Sequence, residues 1–463
     1  MGMTGTIHQT LAVLTVSFNE MNLGIGDGWI SPALAYFNSS ASHIRVGGNQ
    51  ITWIASLDNI GRILGAVLSA MLIDTIGRKF MISTCAVIFF LIWLAIMFSS
   101  SVMVIYTVRT LYGVAKGMND CTNSVYVGEN TSPVFRGVYG TIGSICYYGA
   151  IVGEYIIATY LSYQTYTAIN AAVGVLTVVS IIWLKEPVQF LMLKGKYEQA
   201  EKNFLWLKGV DNLDKVKLEL QNIKENVLLE KSKKSSLNQL VTSSANYKSF
   251  LIVVTTYLLV GAMGFGPIHS YAATSLFPKT EHISSNEFTI LFGLLQFIVA
   301  ILAAFFVSSF NRRLIIITCS ILIALTHSCT ALLYYVNANV TPLPYFPWLI
   351  FGSISLFAGI YSLMYPAIYL IRAELFPLSI KAVGVCASLI ANSAMSFVTT
   401  KLYLLINKAW GIHVNFIAFA AVCVLCAIFV HLTLPETRNK SLIEIQDHLE
   451  NKKKPYEYNE VPL

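Results

Sequence analysis

The feature that most constrains this chain is a series of twelve apolar segments, each about 20 residues long. A helix that crosses the hydrocarbon core of a bilayer, about 30 Å thick, needs roughly 20 mostly apolar residues. The segments occupy residues 8–30, 50–73, 80–99, 102–126, 137–160, 165–184, 249–276, 287–309, 314–336, 346–372, 380–405 and 412–433. Only 12% of the 463 residues are charged, against about 25% in soluble globular proteins. The sequence therefore predicts an all-α, multi-pass membrane protein.

A polar interruption divides the segments into two groups of six. Residues 185–248 lie between the sixth and seventh segments and alternate apolar with charged residues at helical spacing, as in Ala200, Phe204 and Leu207. This pattern predicts short amphipathic helices under one face of the bilayer. The predicted domains are an N-terminal six-helix bundle (1–184), a helical linker (185–248), a C-terminal six-helix bundle (249–434) and a C-terminal tail (435–463).

The lysines and arginines orient the predicted bundle, because cytoplasmic loops of multi-pass proteins carry an excess of both. Outside the linker, eleven of them fall on the side of both termini and four on the other side. Both termini are therefore predicted in the cytoplasm, and the cell membrane is the predicted location because we recognise no retention signal. The sequons at Asn38 and Asn339 then fall on the outer side, where a glycan can be added.

Charged residues recur at corresponding cytoplasmic corners of the two halves. The run Asp74 to Lys79 follows the second segment, and Asn311 to Arg313 follows the eighth. Glu129 and Glu374 follow the fourth and tenth segments, and each precedes a basic residue by seven positions. Arginines of one corner that face a glutamate of the next can close and open an inner mouth. The predicted gate residues are Asp74, Arg78, Lys79, Glu129, Arg136, Arg312, Arg313, Glu374, Lys381 and Glu436.

These signatures resemble those of the sugar porters of the major facilitator superfamily, in the style of insect facilitated trehalose and glucose transporters. The resemblance covers essentially the whole chain and includes Arg109 with Gly113 and the run Pro435 to Leu442. It implies twelve transmembrane helices in two six-helix halves, alternating access, and a solute site near the bilayer midplane. The expected partners are a small solute, with a sugar as the first expectation, the bilayer and, for a proton-coupled carrier, a proton, with no nucleic acid. No cofactor and no metal are expected.

The resemblance also assigns candidate solute ligands, which depart from the family pattern. Ser144 stands at a glutamine position, Gln296 at an asparagine position, and Tyr369 at the position of a stacking tryptophan. Asn392 keeps a family asparagine, whereas His269 lies two residues past another and either lines the pocket or is a core histidine. Each lost donor weakens binding by about 1–3 kcal/mol, so the resemblance does not predict ordinary glucose selectivity.

Charged residues lie within the apolar segments themselves. On the fourth segment Arg109, Lys116, Asp120 and Asn123 are offset by 0, 7, 11 and 14 residues, which places them within roughly 60° on one helix face. Because a charge at the bilayer centre costs at least about 2.5–3.5 kcal/mol, this stripe must face the interior. The other charges are Glu20 and Asp27 on one face of the first segment, Asp58 and Arg62 on the second, Glu154 on the fifth and Arg372 on the tenth.

Two ion pairs and one surface position are predicted for these charged residues. Asp58 and Arg62 are four residues apart and are expected to neutralise each other. Arg372 is expected to extend to the inner surface. Proton-linked members of the family pair an acid of the first segment with the arginine at Arg109, and Asp27 lies one residue beyond that acid position. Glu20, Asp27 and Arg109 are therefore proton-coupling candidates, and a static structural ion pair is the alternative.

The residues leave more than one function open. The first is a facilitative or proton-coupled carrier of a small polar solute, either a sugar such as a hexose or trehalose, or a non-sugar solute. The second is a non-transporting sensor that kept the fold and lost its ligands. An ion channel lacks an evident pore loop or acidic ring, and an enzyme lacks a recognisable catalytic constellation. The corner residues favour a moving carrier, by analogy with the family.

Overall fold

The computed structural model describes residues 3–131, 136–210, 217–232, 243–306, 310–438, 440 and 442–450. The described chain is almost entirely helical and contains no strand. Each of the twelve predicted segments is helical, the seventh in two pieces, so the all-α, twelve-helix fold is confirmed, and the described helix ends lie within seven residues of the predicted bounds.

The first half contains six long helices. They are α1 (Met3–Phe37), α2 (Gly48–Ile76), α3 (Arg78–Met97), α4 (Val102–Asn130), α5 (Arg136–Tyr160) and α6 (Tyr163–Ser180). Local sequence sets their ends: the Ser101 hydroxyl accepts a hydrogen bond of 3.3 Å from the Met103 N–H and so caps α4.

The linker forms α7 (Val188–Leu193), α8 (Tyr197–Lys208) and α9 (Lys217–Ser232), which confirms the predicted amphipathic helices. Ala200, Phe204 and Leu207 are buried as their spacing predicts. The second turn of α1 holds α8 in place, because the His8 ring stacks on Trp206 with centroids 4.5 Å apart. The helix α8 is therefore attached to the first half.

The second half repeats the plan of the first. Its helices are α10 (Ser244–Gly261), α11 (Phe265–Tyr271) with a π-helical turn (Ala272–Leu276), α12 (Ser285–Phe306), α13 (Arg312–Asn339), α14 (Phe346–Leu375), α15 (Leu378–Trp410) and α16 (Ile412–Thr433). A short α17 (Leu442–Glu450) packs below α10, where the Lys248 Nζ donates a hydrogen bond of 2.7 Å to the Leu449 carbonyl.

The seventh membrane segment, predicted as one run over 249–276, is broken between α10 and α11. Gly264 has φ +91°, a left-handed conformation that favours glycine. A Cβ placed there would lie 2.5 Å from the Phe419 ring. Pro267 follows within the first turn of α11, where its missing N–H costs no helical hydrogen bond. The break thus follows from a close approach between backbone and ring that the sequence alone did not indicate.

Helix packing shows the internal repeat. In the first half α1 packs on α5, α2 and α3 pack on α4, and α3 packs on α6. In the second half α10 packs on α15, α12 and α13 pack on α14, and α13 packs on α16. The halves meet through a symmetric pair of contacts, α2 with α15 and α5 with α12. The midplane between the halves is therefore lined by equivalent helices of the two repeats.

Ten helices of the described chain are long and apolar enough to cross a membrane. The remaining two membrane helices of the fold are α1 and α4, which carry the charged stripe and its facing acids. On the outer surface of the bundle Met71, Leu325 and Leu432 are each more than 60% exposed. Apolar side chains on such a surface face lipid in a multi-pass protein.

Candidate solute site and gate clusters

The charged stripe of α4 faces the interior, as predicted, and meets α1 and α2. Arg109, which is 3% exposed, lies 3.2 Å from the Asp58 carboxylate. The same guanidinium donates hydrogen bonds of 3.1 Å to the carbonyls of Ile54 and Gly26. Arg109 thus joins α4 to both neighbouring helices, and all of its partners lie within the first half.

Lys116, two turns further along the stripe, pairs with Asp27. Its Nζ lies 2.6 and 2.7 Å from the two carboxylate oxygens. Tyr112 and Tyr147 also donate hydrogen bonds to Asp27, at 2.9 and 2.7 Å. Asp27 is therefore fully engaged by a lysine and two phenols, and Arg109 contacts the Gly26 carbonyl instead of the Asp27 carboxylate.

Arg62 pairs with Asp120 across α2 and α4 at 2.7 Å. The predicted Asp58–Arg62 pair is therefore wrong. The two residues are one helical turn apart, but α4 offers each its own partner of opposite charge, Arg109 and Asp120. Arg62 also donates a hydrogen bond of 3.2 Å to Asn392 on α15, and this contact joins the two halves near the midplane.

Glu20 is the stripe's remaining acidic neighbour on α1, on the same helix face as Asp27, as predicted. The side-chain amides of Asn119 and Asn123 donate hydrogen bonds to its carboxylate, the first at 2.9 Å. The carbonyl oxygens of both amides are buried without a hydrogen-bond partner among the described residues. The contact between α1 and α4 at Glu20 therefore has more hydrogen-bond acceptors than donors.

Glu154, the other acid of the first half, lies apart from the stripe. It is 1% exposed and accepts a hydrogen bond of 3.1 Å from Asn170 on α6. Its contact is within the first half, so we treat it as structural.

The second half contributes polar groups to the interface between the two halves, which we call the seam. His269 lies between Tyr155 of α5, at 3.3 Å, and Gln296 of α12, at 3.0 Å. The rings of Phe265 and Phe292 pack against the imidazole, with centroids 4.2 and 5.2 Å away. His269 is thus a buried residue at the seam, and its contact with Tyr155 joins the two halves. Gln296 lies at the seam as well, because it bonds to His269.

Two further predicted ligands, Ser144 and Tyr369, are exposed on the terminus side of the bundle, the side of α1 that holds the N-terminus. Arg372 was predicted to reach the surface, but it is only 4% exposed. Its guanidinium lies 4.7 Å from the centre of the Tyr369 ring and 5.5 Å from that of Tyr257. Cation–π contacts to these rings hold it inside the bundle, so that prediction is wrong.

On the far side of the bundle, polar contacts close the seam. The Ala273 N–H donates a hydrogen bond of 2.9 Å to the Ser31 hydroxyl. Lys401 donates one of 2.8 Å to the Thr52 hydroxyl and lies 3.8 Å from the centre of the Trp53 ring. Each of these contacts joins the first half to the second.

The first gate cluster forms at the terminus side of α3. Arg78, 7% exposed, lies 3.0 Å from both Asp74 and Glu129. Glu186, just after the sixth membrane segment, accepts hydrogen bonds from the backbone N–H groups of Arg78 and Lys79, at 2.6 and 3.2 Å. The cluster ties three corners of the first half together.

The second gate cluster repeats this geometry. Arg312, at the start of α13, lies 3.7 Å from Glu374. Glu436, after the twelfth membrane segment, accepts hydrogen bonds from the backbone N–H groups of Arg312 and Arg313, at 3.1 and 3.2 Å. Lys381 is half-buried at the start of α15, and the Arg136 side chain lies outside the described residues.

The sequence analysis missed Glu186, although Glu436 was included. Both glutamates follow the last membrane segment of their half and bond the first N–H groups of the helix in the same position, so the repeat itself was the available signal. Partial burial raises the pKa of the Glu186 carboxyl above its usual range, and the two backbone hydrogen bonds oppose that rise.

The predicted glycosylation residues lie at the far ends of their helices. Asn38 follows α1 and Asn339 ends α13, and both are exposed. They therefore share one side of the bundle, opposite the gate clusters.

Comparison with known proteins agrees with this architecture. The family model described as "Sugar (and other) transporter" matches residues 29–449. The chain is 25% identical over 442 residues to the facilitated trehalose transporter Tret1 of Bombyx mori, covering 95% of this chain and 86% of that protein. The Tret1 protein of Culex quinquefasciatus is also 25% identical, over 444 residues, with the same coverage.

Solved structures share the fold. The proton:xylose symporter XylE bound to 6-bromo-6-deoxy-D-glucose superposes with a TM-score of 0.77 at 17% identity, covering 96% of this chain and 100% of that one. The inward-open conformation of XylE from E. coli gives a TM-score of 0.76 at 17% identity, covering 94% and 98%. At this identity the likeness is one of fold, which is that of the major facilitator superfamily.

Proposed function

The chain belongs to the sugar (and other) transporter family, and on that premise we propose that it carries a sugar across the cell membrane by alternating access. The relatives are named for trehalose and the structural neighbour for xylose, which supports a monosaccharide or disaccharide as the solute class. The two halves, 1–184 and 249–434, are the bodies that move.

The single observation that carries this mechanism is the asymmetry of the seam between the halves. Hydrogen bonds from Ala273 to Ser31 and from Lys401 to Thr52 hold the far side together. On the terminus side, Ser144 and Tyr369 are exposed. Ser144 lies one turn from Tyr148, which bonds to Ser362 of the second half, and Tyr369 lies one turn from Tyr365, which bonds to Arg62 of the first half. These contacts support a carrier state that is closed on the far side and approached by the solute from the terminus side.

The gate clusters support the moving parts of this proposal. Arg78 with Glu129 and Arg312 with Glu374 each tie helices within one half, so each half can turn as one body. Ser144, His269, Gln296, Tyr369 and Asn392 are the proposed solute ligands, and they come from both halves. A solute that is bound by both halves makes different contacts in the two conformations of the carrier. Alternating access requires such a difference.

We place the terminus side in the cytoplasm. The excess of lysines and arginines on that side supports this orientation. The exposed sequons at Asn38 and Asn339 on the far side agree with it.

Proton coupling is the second candidate function. One observation indicates which carboxylate would accept the proton. Asp27 is held by Lys116 and two tyrosines, whereas Glu20 is held by amides alone. A carboxylate without a charged partner is the easier of the two to protonate. In a coupled carrier, Glu20 would therefore take the proton.

Uptake into vesicles tests the proposal. Purified protein is reconstituted, and the entry of labelled glucose, xylose and trehalose is followed with and without a pH gradient. We expect saturable uptake of at least one sugar, and Arg109→Ala should abolish it while the protein still inserts. Uptake that is indifferent to pH would remove proton coupling. If correctly inserted protein moves none of these sugars, the carrier assignment fails and a sensor of the same fold becomes the better reading.

A further inference from the structure

Two carboxylates in the membrane interior of the first half, Glu20 and Glu154, have no cation among the described contacts, and only Glu20 lies beside the charged stripe of α4. Ion pairs neutralise the three aspartates there, namely Asp58 with Arg109, Asp27 with Lys116, and Asp120 with Arg62. Glu20 forms no ion pair in the described part of the chain, and its partners are the neutral amides of Asn119 and Asn123. The stripe and the side chains that face it therefore carry one negative charge in excess when Glu20 is ionised.

The two amides add acceptors at the same place. Asn119 is fully buried, and Asn123 lies one turn further along α4, so both face α1. Each donates its N–H to Glu20 and leaves its carbonyl oxygen buried without a partner in the described chain. A buried acceptor without a donor destabilises the protein that contains it. Glu20 and the two amide oxygens thus form a set of acceptors that lacks a donor.

This acceptor set is adjacent to the open part of the seam. The Glu20 Cγ lies 3.4 Å from the position that a Cβ would take on Gly143. The next residue of α5, Ser144, is exposed. Glu20 therefore contacts α5 at the residue that precedes the exposed Ser144.

We infer that the acceptor set of Glu20, Asn119 and Asn123 binds the ammonium group of a cationic sugar, so that the preferred solute is an amino sugar. An ammonium group has three N–H donors and no acceptor, which matches a carboxylate flanked by two amide oxygens. Its charge compensates the excess carboxylate, and the sugar hydroxyls remain for Ser144 and the ligands of the second half. This inference rests on the proposed sugar carrier and names its substrate class.

Equilibrium binding and uptake of three ligands at neutral pH test the inference. They are D-glucosamine, D-glucose and N-acetyl-D-glucosamine, which keeps the ring and nitrogen but loses the charge. We expect the wild-type protein to bind glucosamine about tenfold or more tightly than the two neutral sugars, because a charge-assisted contact is worth more than 1.4 kcal/mol. Comparing glucosamine with its acetylated form needs no variant and so cannot be confounded by misfolding.

Two variants localise the effect. Glu20→Gln should reduce the preference for glucosamine over glucose to about onefold. Glu154→Gln removes a different membrane carboxylate, bonded to Asn170 and distant from the stripe, and should leave the preference unchanged.

The outcomes separate this inference from the proposed function. Equal binding of charged and neutral sugars by the wild type overturns it, as does a preference that persists in Glu20→Gln. Loss of a pH-gradient effect in Glu20→Gln without any change in sugar preference assigns the carboxyl to a proton and also overturns it. If no sugar enters vesicles but glucosamine still binds preferentially through Glu20, the carrier proposal fails and the inference stands.

Discussion

The two halves share one backbone plan but are lined differently. Within the membrane part of the first half, charged side chains of α1, α2 and α4 form the described ion pairs. In the second half the corresponding region holds His269, Gln296 and Asn392 among aromatic rings, and its one buried arginine, Arg372, lies on tyrosine rings. Rings pack in both halves, but only the first half adds buried ion pairs to the described part of its membrane interior.

This difference in side chains predicts which substitutions lower the free energy of unfolding most. A buried ion pair is strongly destabilising when one partner is lost, because the other charge stays buried and unpaired. A neutral hydrogen bond contributes only about 0.5–1.5 kcal/mol, so its loss costs less than an unpaired buried charge. We therefore expect substitutions that break the ion pairs of the first half to have larger effects than those that remove a neutral hydrogen bond between the halves.

The largest effect is expected for Arg109→Ala. It leaves the Asp58 carboxylate buried without its guanidinium and frees two backbone carbonyls, so the free energy of unfolding should fall by about 3–5 kcal/mol. Thermal unfolding of the purified protein in detergent measures this. The matched control is the double variant Arg109→Ala with Asp58→Asn, which should recover part of the loss. A double variant less stable than Arg109→Ala alone would contradict the pairing.

The next effect compares the two gate clusters. Glu186→Gln and Glu436→Gln each weaken charge-assisted hydrogen bonds to the start of a helix, and each should cost about 1.5–3 kcal/mol. Because the two glutamates do the same thing in their halves, the losses should agree within about 1 kcal/mol and should add in the double variant. Melting of the four proteins side by side checks this, and a loss confined to one glutamate would break the equivalence of the corners.

A smaller effect is expected at the midplane contact between the halves. Asn392→Ala removes the acceptor of the Arg62 guanidinium but leaves the Arg62–Asp120 pair intact, so the loss should be about 1–2 kcal/mol. It should appear as a shift in the distance between spin labels on the two halves more than as a fall in melting temperature. Asn415→Ala is the control, because its amide bonds to Tyr403 within the second half.

The smallest effect is expected for Tyr155→Phe. The hydroxyl makes one long contact, 3.3 Å, with His269, and a neutral hydrogen bond contributes about 0.5–1.5 kcal/mol. His269→Phe should cost more, because it also removes the contact to Gln296. If Tyr155→Phe proves as damaging as Arg109→Ala, the contrast between buried ion pairs and neutral contacts is wrong.

Much of the fold was predictable because apolar length and helical spacing are properties of single segments. The twelve helices and the interior stripe of α4 follow from these properties. Partners were harder, because they depend on how neighbouring helices are rotated. Asp58 and Arg62 are adjacent on α2, yet each finds its partner on α4, and Arg372 stays inside because Tyr257 and Tyr369 surround it. The break at Gly264 required knowledge of the Phe419 ring, 155 residues away.

The attachment of the two short helices on the terminus side has a practical consequence. The helix α8 is fixed to the second turn of α1 by His8 and Trp206, and α17 is fixed to α10 by Lys248 and Leu449. Each helix is thus a labelling site that is attached to one half and accessible from water. A pair of fluorophores, one on α8 and one on α17, should therefore follow each turnover as a change in energy transfer, without any label inside the membrane.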